Sequence, residues 1–66
     1  MRANDIHVGD MLEVRAHVRE RGIMPDGSEV PVLIRVERIT HRQGYKKPWI
    51  HAAGGQFRPE ELAKIE

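Results

Sequence analysis

Apolar side chains occupy every second position in the first part of the chain, which is the pattern of a β-strand with one buried face. A period of two sends alternate side chains to opposite faces of a strand. Between residues 12 and 19, one face is entirely apolar and the other is charged or histidine. The apolar positions are Leu12, Val14, Ala16 and Val18. The sequence therefore predicts a first strand over 12–19 whose apolar face packs in the core.

A stretch of turn-forming residues follows this strand. Gly22, Pro25 and Gly27 interrupt residues 20–29. Proline favours the first corner of a turn, and glycine accepts the positive φ that some turn positions require. We therefore expect a long hairpin loop over 20–29.

The alternation then returns in a second predicted strand, but its parity slips near the end. Its apolar positions are Val30, Val32, Ile34 and Val36. Ile39 falls on the opposite parity, so one extra residue must be accommodated near Glu37 or Arg38. A β-bulge adds such a residue and bends the strand, which would turn Ile39 inward. A bent second strand is therefore expected.

The C-terminal third contains three short elements separated by turn signals. A strand over 49–53 is expected to lead through a two-residue turn at Gly54-Gly55 into a return strand over 56–58, since glycine accepts positive φ at both turn positions. Proline is favoured at the first position of a helix, so one helical turn is expected at about 59–62. Residues 63–65 then form a last strand.

Four or five short strands with one late helical turn indicate a single all-β domain over residues 1–66. A small bent barrel buries period-two faces and removes open strand edges. The layout resembles the SH3-like barrel in its entry Ile6-x-Val8-Gly9-Asp10, its turn Gly54-Gly55 and its segment Phe57-x-Pro59-x-x-Leu62.

This resemblance covers residues 8–65 and implies a five-stranded barrel with a long first hairpin loop. The chain also resembles the small stand-alone barrels that bacteriophages and other mobile elements encode. It lacks the paired aromatic residues and the acidic first loop of peptide-binding SH3 domains. Recognition of proline-rich ligands is therefore not expected.

Composition argues against several classes of protein. The chain has no cysteine, and its four histidines lack the i, i+2 or i, i+4 spacing that directs two ligands at one metal ion. No metal or other cofactor is therefore expected. No apolar run approaches the roughly 18 residues of a membrane span, and the N-terminus lacks the apolar stretch of a signal peptide. These features predict a soluble cytoplasmic protein that does not bind membranes.

Candidate catalytic residues are few, so no enzymatic activity is expected. The chain has one serine and one threonine, and Ser28 lies in the turn Asp26-Gly27-Ser28-Glu29, where a hydroxyl most often bonds to the backbone. The adjacent Glu60 and Glu61 favour the start of the predicted helical turn more than a catalytic pair. A barrel of this size also leaves little volume for a substrate.

Positive charge is concentrated in one stretch. Residues 35–58 hold six of the eleven Lys and Arg residues, one acid and all three aromatic residues, which gives a formal charge of +5 against +1 for the whole chain. Cations interleaved with flat side chains are typical of surfaces that bind a phosphate backbone and unstacked bases. The predicted nucleic-acid contacts are Arg38, Arg42, Tyr45, Lys46, Lys47 and Trp49. An ordinary solvated loop is the alternative for these charges.

The aromatic residues of this stretch are expected to divide between core and surface. Phe57 precedes the closing helical turn and is predicted to be buried near Leu62. For Trp49, burial as a bulky core residue and exposure are both open, because inward-facing Ile50 and Ala52 would place it on the other face.

Ile23 and Met24 form a second candidate surface, in the first loop. One interpretation is that both residues fold back and cover one end of the barrel. The other is that they contact a protein partner, such as a host or virion component bound by a phage-encoded factor. The expected partners are therefore nucleic acid or, alternatively, a protein. A monomer or a weak homodimer is expected in solution.

Overall fold

Two small antiparallel sheets of three strands each make up most of the fold. The structure is a computed structural model that describes residues 2–44 and 46–65. The strands are β1 Met11–Val14, β2 Leu33–Arg35, β3 Arg38–Thr40, β4 Trp49–Ala52, β5 Gly55–Phe57 and β6 Leu62–Lys64. The first sheet has the order β2-β1-β6 and the second sheet the order β3-β4-β5. The all-β prediction is confirmed.

In residues 2–44 and 46–65, helical structure is limited to short segments. These are the helix α1 Ala16–Arg21 and two 3-10 turns at Ala3–Asp5 and Pro59–Glu61. The predicted helical turn before the last strand is therefore confirmed. Nowhere in residues 2–44 and 46–65 is there a helix with the length and apolar composition needed to cross a membrane.

The first predicted strand is correct only as far as Val14. Leu12 and Val14 are buried as expected, but the chain enters α1 at Ala16, which is exposed. Alanine, arginine and glutamate are strong helix formers, and they make up most of α1. Arg15 is held at the turn because its N–H donates to the carbonyl oxygen of Glu61 at 3.0 Å. The prediction of a strand over 12–19 is therefore wrong beyond Val14.

The connection between β1 and β2 is longer than predicted and has its own structure. After α1, a β-bridge joins Ile23 and Glu29 across a tight turn. The Asp26 carboxylate accepts hydrogen bonds from the hydroxyl and the backbone N–H of Ser28, at 2.6 and 3.0 Å, and these bonds lower the pKa of Asp26. Ser28 thus supports the turn, and β2 begins at Leu33 rather than at Val30.

A change of sheet replaces the predicted bulge. The N–H of Val36 donates to the carbonyl oxygen of Asp10 beside the first sheet, and the N–H of Glu37 donates to that of His51 in the second sheet, both at 2.9 Å. The predicted second strand is therefore two strands, β2 and β3, in different sheets. Where the chain passes from one sheet to the other, Val36 is buried and Ile39 is half-buried.

The hairpin between β4 and β5 turns one residue earlier than predicted. Ala53 and Gly54 occupy the turn with φ of 51° and 80°, and Ala52 pairs with Gly55. Gly55 is the first residue of β5, and Met24 packs directly against it. A Cβ at position 55 would lie 2.7 Å from the Met24 methyl carbon, so a larger residue there would displace the end of the Met24 side chain.

Both sheets contribute to one core. The buried apolar residues are Ile6, Leu12, Val14, Met24, Ile34, Val36, Ile50, Ala52, Phe57 and Leu62. Phe57 is 3% exposed, which confirms its predicted burial. The expectation of five strands in a closed barrel is corrected in two respects. There are six strands, and within residues 2–44 and 46–65 no strand pairing closes the two sheets into a barrel.

Candidate functional site

The solvent-facing side of the second sheet carries a group of aromatic and basic side chains. Ile50 and Ala52 of β4 point into the core, so Trp49 and His51 point outward and are half-buried. The neighbouring strands place further polar residues beside them. We call this surface the outer face, and its residues are Arg38, Thr40, Trp49, His51, Gln56 and Arg58, with Arg42 next to it.

Trp49 is the centre of the outer face. The guanidinium carbon of Arg58 lies 4.5 Å from the centroid of the Trp49 ring, and that of Arg42 lies 5.8 Å from it. Cations within about 6 Å of a ring centroid are attracted by the negative face of the ring. Two positive charges and one large aromatic ring therefore converge on one spot, on a surface rather than in the core.

The backbone of Arg58 is fixed by the second 3-10 turn. Its N–H donates to the Glu61 side chain at 2.7 Å, and its carbonyl oxygen accepts the N–H of Glu61 at 2.9 Å. This reciprocal capping arrangement satisfies backbone groups at the start of a helical turn. It holds the base of the Arg58 side chain in place beside Trp49.

A hydrogen bond joins the two strands next to the arginines. The Thr40 hydroxyl and the His51 ring nitrogen Nε2 are 2.7 Å apart. Thr40 is paired with Trp49 across the strands, and His51 is paired with Arg38. The bond ties β3 to β4 through their side chains and restricts the rotamers of Thr40 and His51.

The two lysines of the 41–48 connection differ in their surroundings. Lys46 is exposed, whereas the ammonium group of Lys47 lies 3.5 Å from the Glu60 carboxylate. The backbone N–H of Glu60 and this lysine lower the pKa of Glu60. An exposed ion pair of this kind contributes only about 1 kcal/mol or less, so Lys47 exchanges it readily for another anion.

The structure brings together three of the six predicted nucleic-acid contacts. Arg38, Arg42 and Trp49 lie together on or beside the outer face, and Tyr45 lies outside the described residues. Arg58 is not among the predicted contacts, but it makes the shorter of the two arginine contacts with Trp49. The register that pairs Ile50 with Phe57 continues to Trp49 and Arg58. Had the turn been predicted at residues 53–54 instead of 54–55, the sequence would have placed Arg58 opposite Trp49.

The second candidate surface is divided by the structure. Met24 is 7% exposed and packs against Gly55, as expected for a residue that folds back on the core. Ile23 is 75% exposed. Of the two residues predicted to contact a protein partner, only Ile23 is accessible for such a contact.

Among residues 2–44 and 46–65, no three His, Asp or Glu side chains are close enough to hold a metal ion. Comparisons with protein-family models, with curated proteins and with solved structures find no match to this chain. The functional assignment therefore depends on the geometry of the outer face.

Proposed function

We propose that this protein is a non-enzymatic module that binds single-stranded nucleic acid on the outer face. The observation that carries the proposal is the Trp49 ring with the guanidinium groups of Arg58 and Arg42 at 4.5 and 5.8 Å. A base stacks on an aromatic ring with a gain of about 1–3 kcal/mol, and planar guanidinium groups also stack on bases. Duplex bases hide their faces, so an unpaired strand is the better ligand.

The charges around Trp49 supply the contacts to phosphates. Five cations surround the ring or flank it in the sequence, namely Arg38, Arg42, Lys46, Lys47 and Arg58. Phosphate contacts position a strand but carry no sequence information. With one stacking residue and mainly phosphate contacts, binding is weak and has little sequence preference.

The two lysines provide one test of this proposal. The Lys46→Ala/Lys47→Ala double variant is expected to bind thymidine and adenosine 15-mers less tightly than the unsubstituted protein, and by the same factor for both. Loss of two phosphate contacts should reduce the slope of log affinity against log salt by about 1.4, at roughly 0.7 per phosphate for single strands. Fluorescence anisotropy of labelled oligonucleotides measures both quantities.

Lys64 supplies the matched control for this test. It is an exposed lysine on β6 of the first sheet, away from the outer face. Lys64→Ala is expected to leave the salt slope unchanged. A slope that falls equally in Lys64→Ala and in the double variant would show that net charge, not the outer face, governs binding.

We also propose that the two sheets are the halves of an SH3-like barrel. Three features support this proposal: the long connection between β1 and β2, the chain that passes from one sheet to the other at residues 36–37, and the 3-10 turn before β6. If β2 and β3 are counted as one bent strand, the protein has five strands in the described residues. Bacteriophage or mobile-element origin and a cytoplasmic location stay predictions.

A second candidate function is contact with a protein. The observation that favours it is Ile23, a large apolar residue that is 75% exposed while its neighbour Met24 is anchored in the core. An exposed apolar residue on a fixed base suits a protein contact. Such contact is compatible with nucleic-acid binding, because Ile23 is not part of the outer face.

A further inference from the structure

The solvent-facing side of the first sheet carries several large apolar side chains. Leu12 and Val14 of β1 are buried, so the residues that alternate with them point outward. The outward positions on the sheet, which we call the apolar face, are Met11, Glu13, Leu33, Arg35, Ala63 and Ile65. Met11, Leu33 and Ile65 are 42%, 49% and 44% exposed. The solvated side of an antiparallel sheet is ordinarily polar, so adjoining apolar residues here indicate a contact surface.

Four of these residues form a rectangle with two apolar and two charged corners. Met11 pairs with Arg35, and Glu13 pairs with Leu33, on the neighbouring strands β1 and β2. Met11 and Leu33 therefore occupy one diagonal of the rectangle, and Glu13 and Arg35 occupy the other. Both charged side chains are exposed, and within residues 2–44 and 46–65 neither forms an ion pair. The two charges are therefore available to a binding partner.

This rectangle is complementary to a second copy of itself. A two-fold axis in the contact plane, along the apolar diagonal, places Met11 against Met11 of the second copy and Leu33 against its Leu33. The same rotation exchanges the charged corners, so Glu13 faces Arg35 of the second copy and Arg35 faces its Glu13. In a two-fold dimer the same patch of both subunits must match itself in this way. The rectangle has no net charge, so a strongly acidic or basic partner is not favoured.

We propose that this protein forms a two-fold dimer through the apolar face. Because Leu12 pairs with Lys64, Ile65 lies opposite Met11 on the far side of β1 and extends the apolar contact. Three strands about 4.8 Å apart give a face only roughly 14 Å wide, which is well below the about 800 Å² per partner of a standard interface, so association is weak. The apolar face shares no residue with the outer face, and the inference does not depend on nucleic-acid binding.

Charge reversal at the two charged corners tests the dimer. In sedimentation experiments the mean mass of the unsubstituted protein is expected to rise between about 10 μM and about 1 mM. Glu13→Arg and Arg35→Glu each place like charges opposite one another, and each is expected to weaken association about tenfold or more. The double variant Glu13→Arg/Arg35→Glu restores opposite charges across the axis, so its association should return close to that of the unsubstituted protein.

Two control variants separate the apolar face from general effects of charge. Glu20→Arg, at an exposed position of α1, changes the net charge as much as Glu13→Arg does. Ile23→Asp replaces an exposed apolar residue outside the apolar face. Both are expected to leave association unchanged, whereas Met11→Asp places two carboxylates together on the axis and should abolish it. All these positions are exposed, and circular dichroism checks folding; where Met11→Asp does not fold, the charge reversals decide the question.

Four results would overturn the inference. A protein that is still monomeric at about 1 mM does not form this dimer, and the apolar face is then left to an unlike partner or to solvent. Association that neither single charge reversal weakens uses another surface, and dissociation by Ile23→Asp would place that surface at the first loop. Equal weakening by Glu20→Arg and Glu13→Arg would make net charge the cause. A double variant that associates no better than the single ones would show that Glu13 and Arg35 do not face each other across the axis.

Discussion

Leu62→Ala is expected to leave much of the protein unfolded at 25 °C. Leu62 is fully buried at the start of β6, opposite Val14 of the first sheet. Removal of a buried leucine side chain costs about 2–5 kcal/mol, because transfer energy is lost and a cavity is left behind. A single core in a chain this short rarely supplies more than roughly 3–5 kcal/mol of stability, so the loss is comparable with the whole free energy of unfolding. Urea denaturation followed by far-ultraviolet circular dichroism measures the loss.

Leu33 is a matched control for this substitution. It is 49% exposed and lies on β2 of the same sheet. Leu33→Ala is expected to cost about 1 kcal/mol, since only part of the side chain is removed from water on folding. If the two variants lose equal stability, Leu62 does not occupy the centre of the core as described.

Trp49→Ala is expected to have the largest effect on nucleic-acid binding. It removes the stacking surface and the ring on which Arg58 and Arg42 lie. The loss of one stacked base corresponds to an affinity about 5- to 150-fold lower. Anisotropy titrations with a labelled thymidine 15-mer at fixed low salt provide the measurement.

Trp49→Phe is the control that retains an aromatic ring. It should keep part of the stacking energy and bind with intermediate affinity. Because Trp49 is half-buried, the unfolding free energy of both variants must be measured alongside their affinity. If Trp49→Ala is folded and binds as tightly as the unsubstituted protein, the base does not stack on the outer face.

The alternation of apolar residues predicted burial well where strands were present. It placed Leu12 and Val14 in the core, as it did Ile50 and Ala52, and the structure buries all four. It failed beyond Val14, because two apolar positions, Ala16 and Val18, are too few to separate the period of a strand from that of a helix. Contacts distant in the sequence, such as the Arg15 bond to Glu61, determine which of the two forms.

The change of sheet is a second feature that the local pattern of apolar residues did not predict fully. The parity slip before Ile39 correctly indicated an irregular point in the second predicted strand. Hydrogen bonds from Val36 to Asp10 and from Glu37 to His51 make that point a passage between sheets. Parity alone does not distinguish a bulge from such a passage, because both add one residue.

The candidate site was predicted only in part, because the local sequence pattern gave the wrong position for the turn between β4 and β5. Two adjacent glycines suggested a turn at Gly54-Gly55, and that register separates Arg58 from Trp49. The actual turn lies one residue earlier, and Gly55 in β5 packs against Met24, 31 positions away in the sequence. This register places Arg58 beside Trp49.

Trp49 is the only tryptophan in the chain, so its fluorescence reports directly on the outer face. The central claim is most directly tested by titrating the unsubstituted protein with an unlabelled thymidine 15-mer at 50 and 200 mM salt. If about three to five cations neutralise phosphates, the fluorescence should change saturably, and the dissociation constant should rise about 20- to 130-fold between the two salt concentrations. A Trp49 signal that does not respond to the oligonucleotide at 50 mM salt, or an affinity that does not depend on salt, would contradict the proposed function.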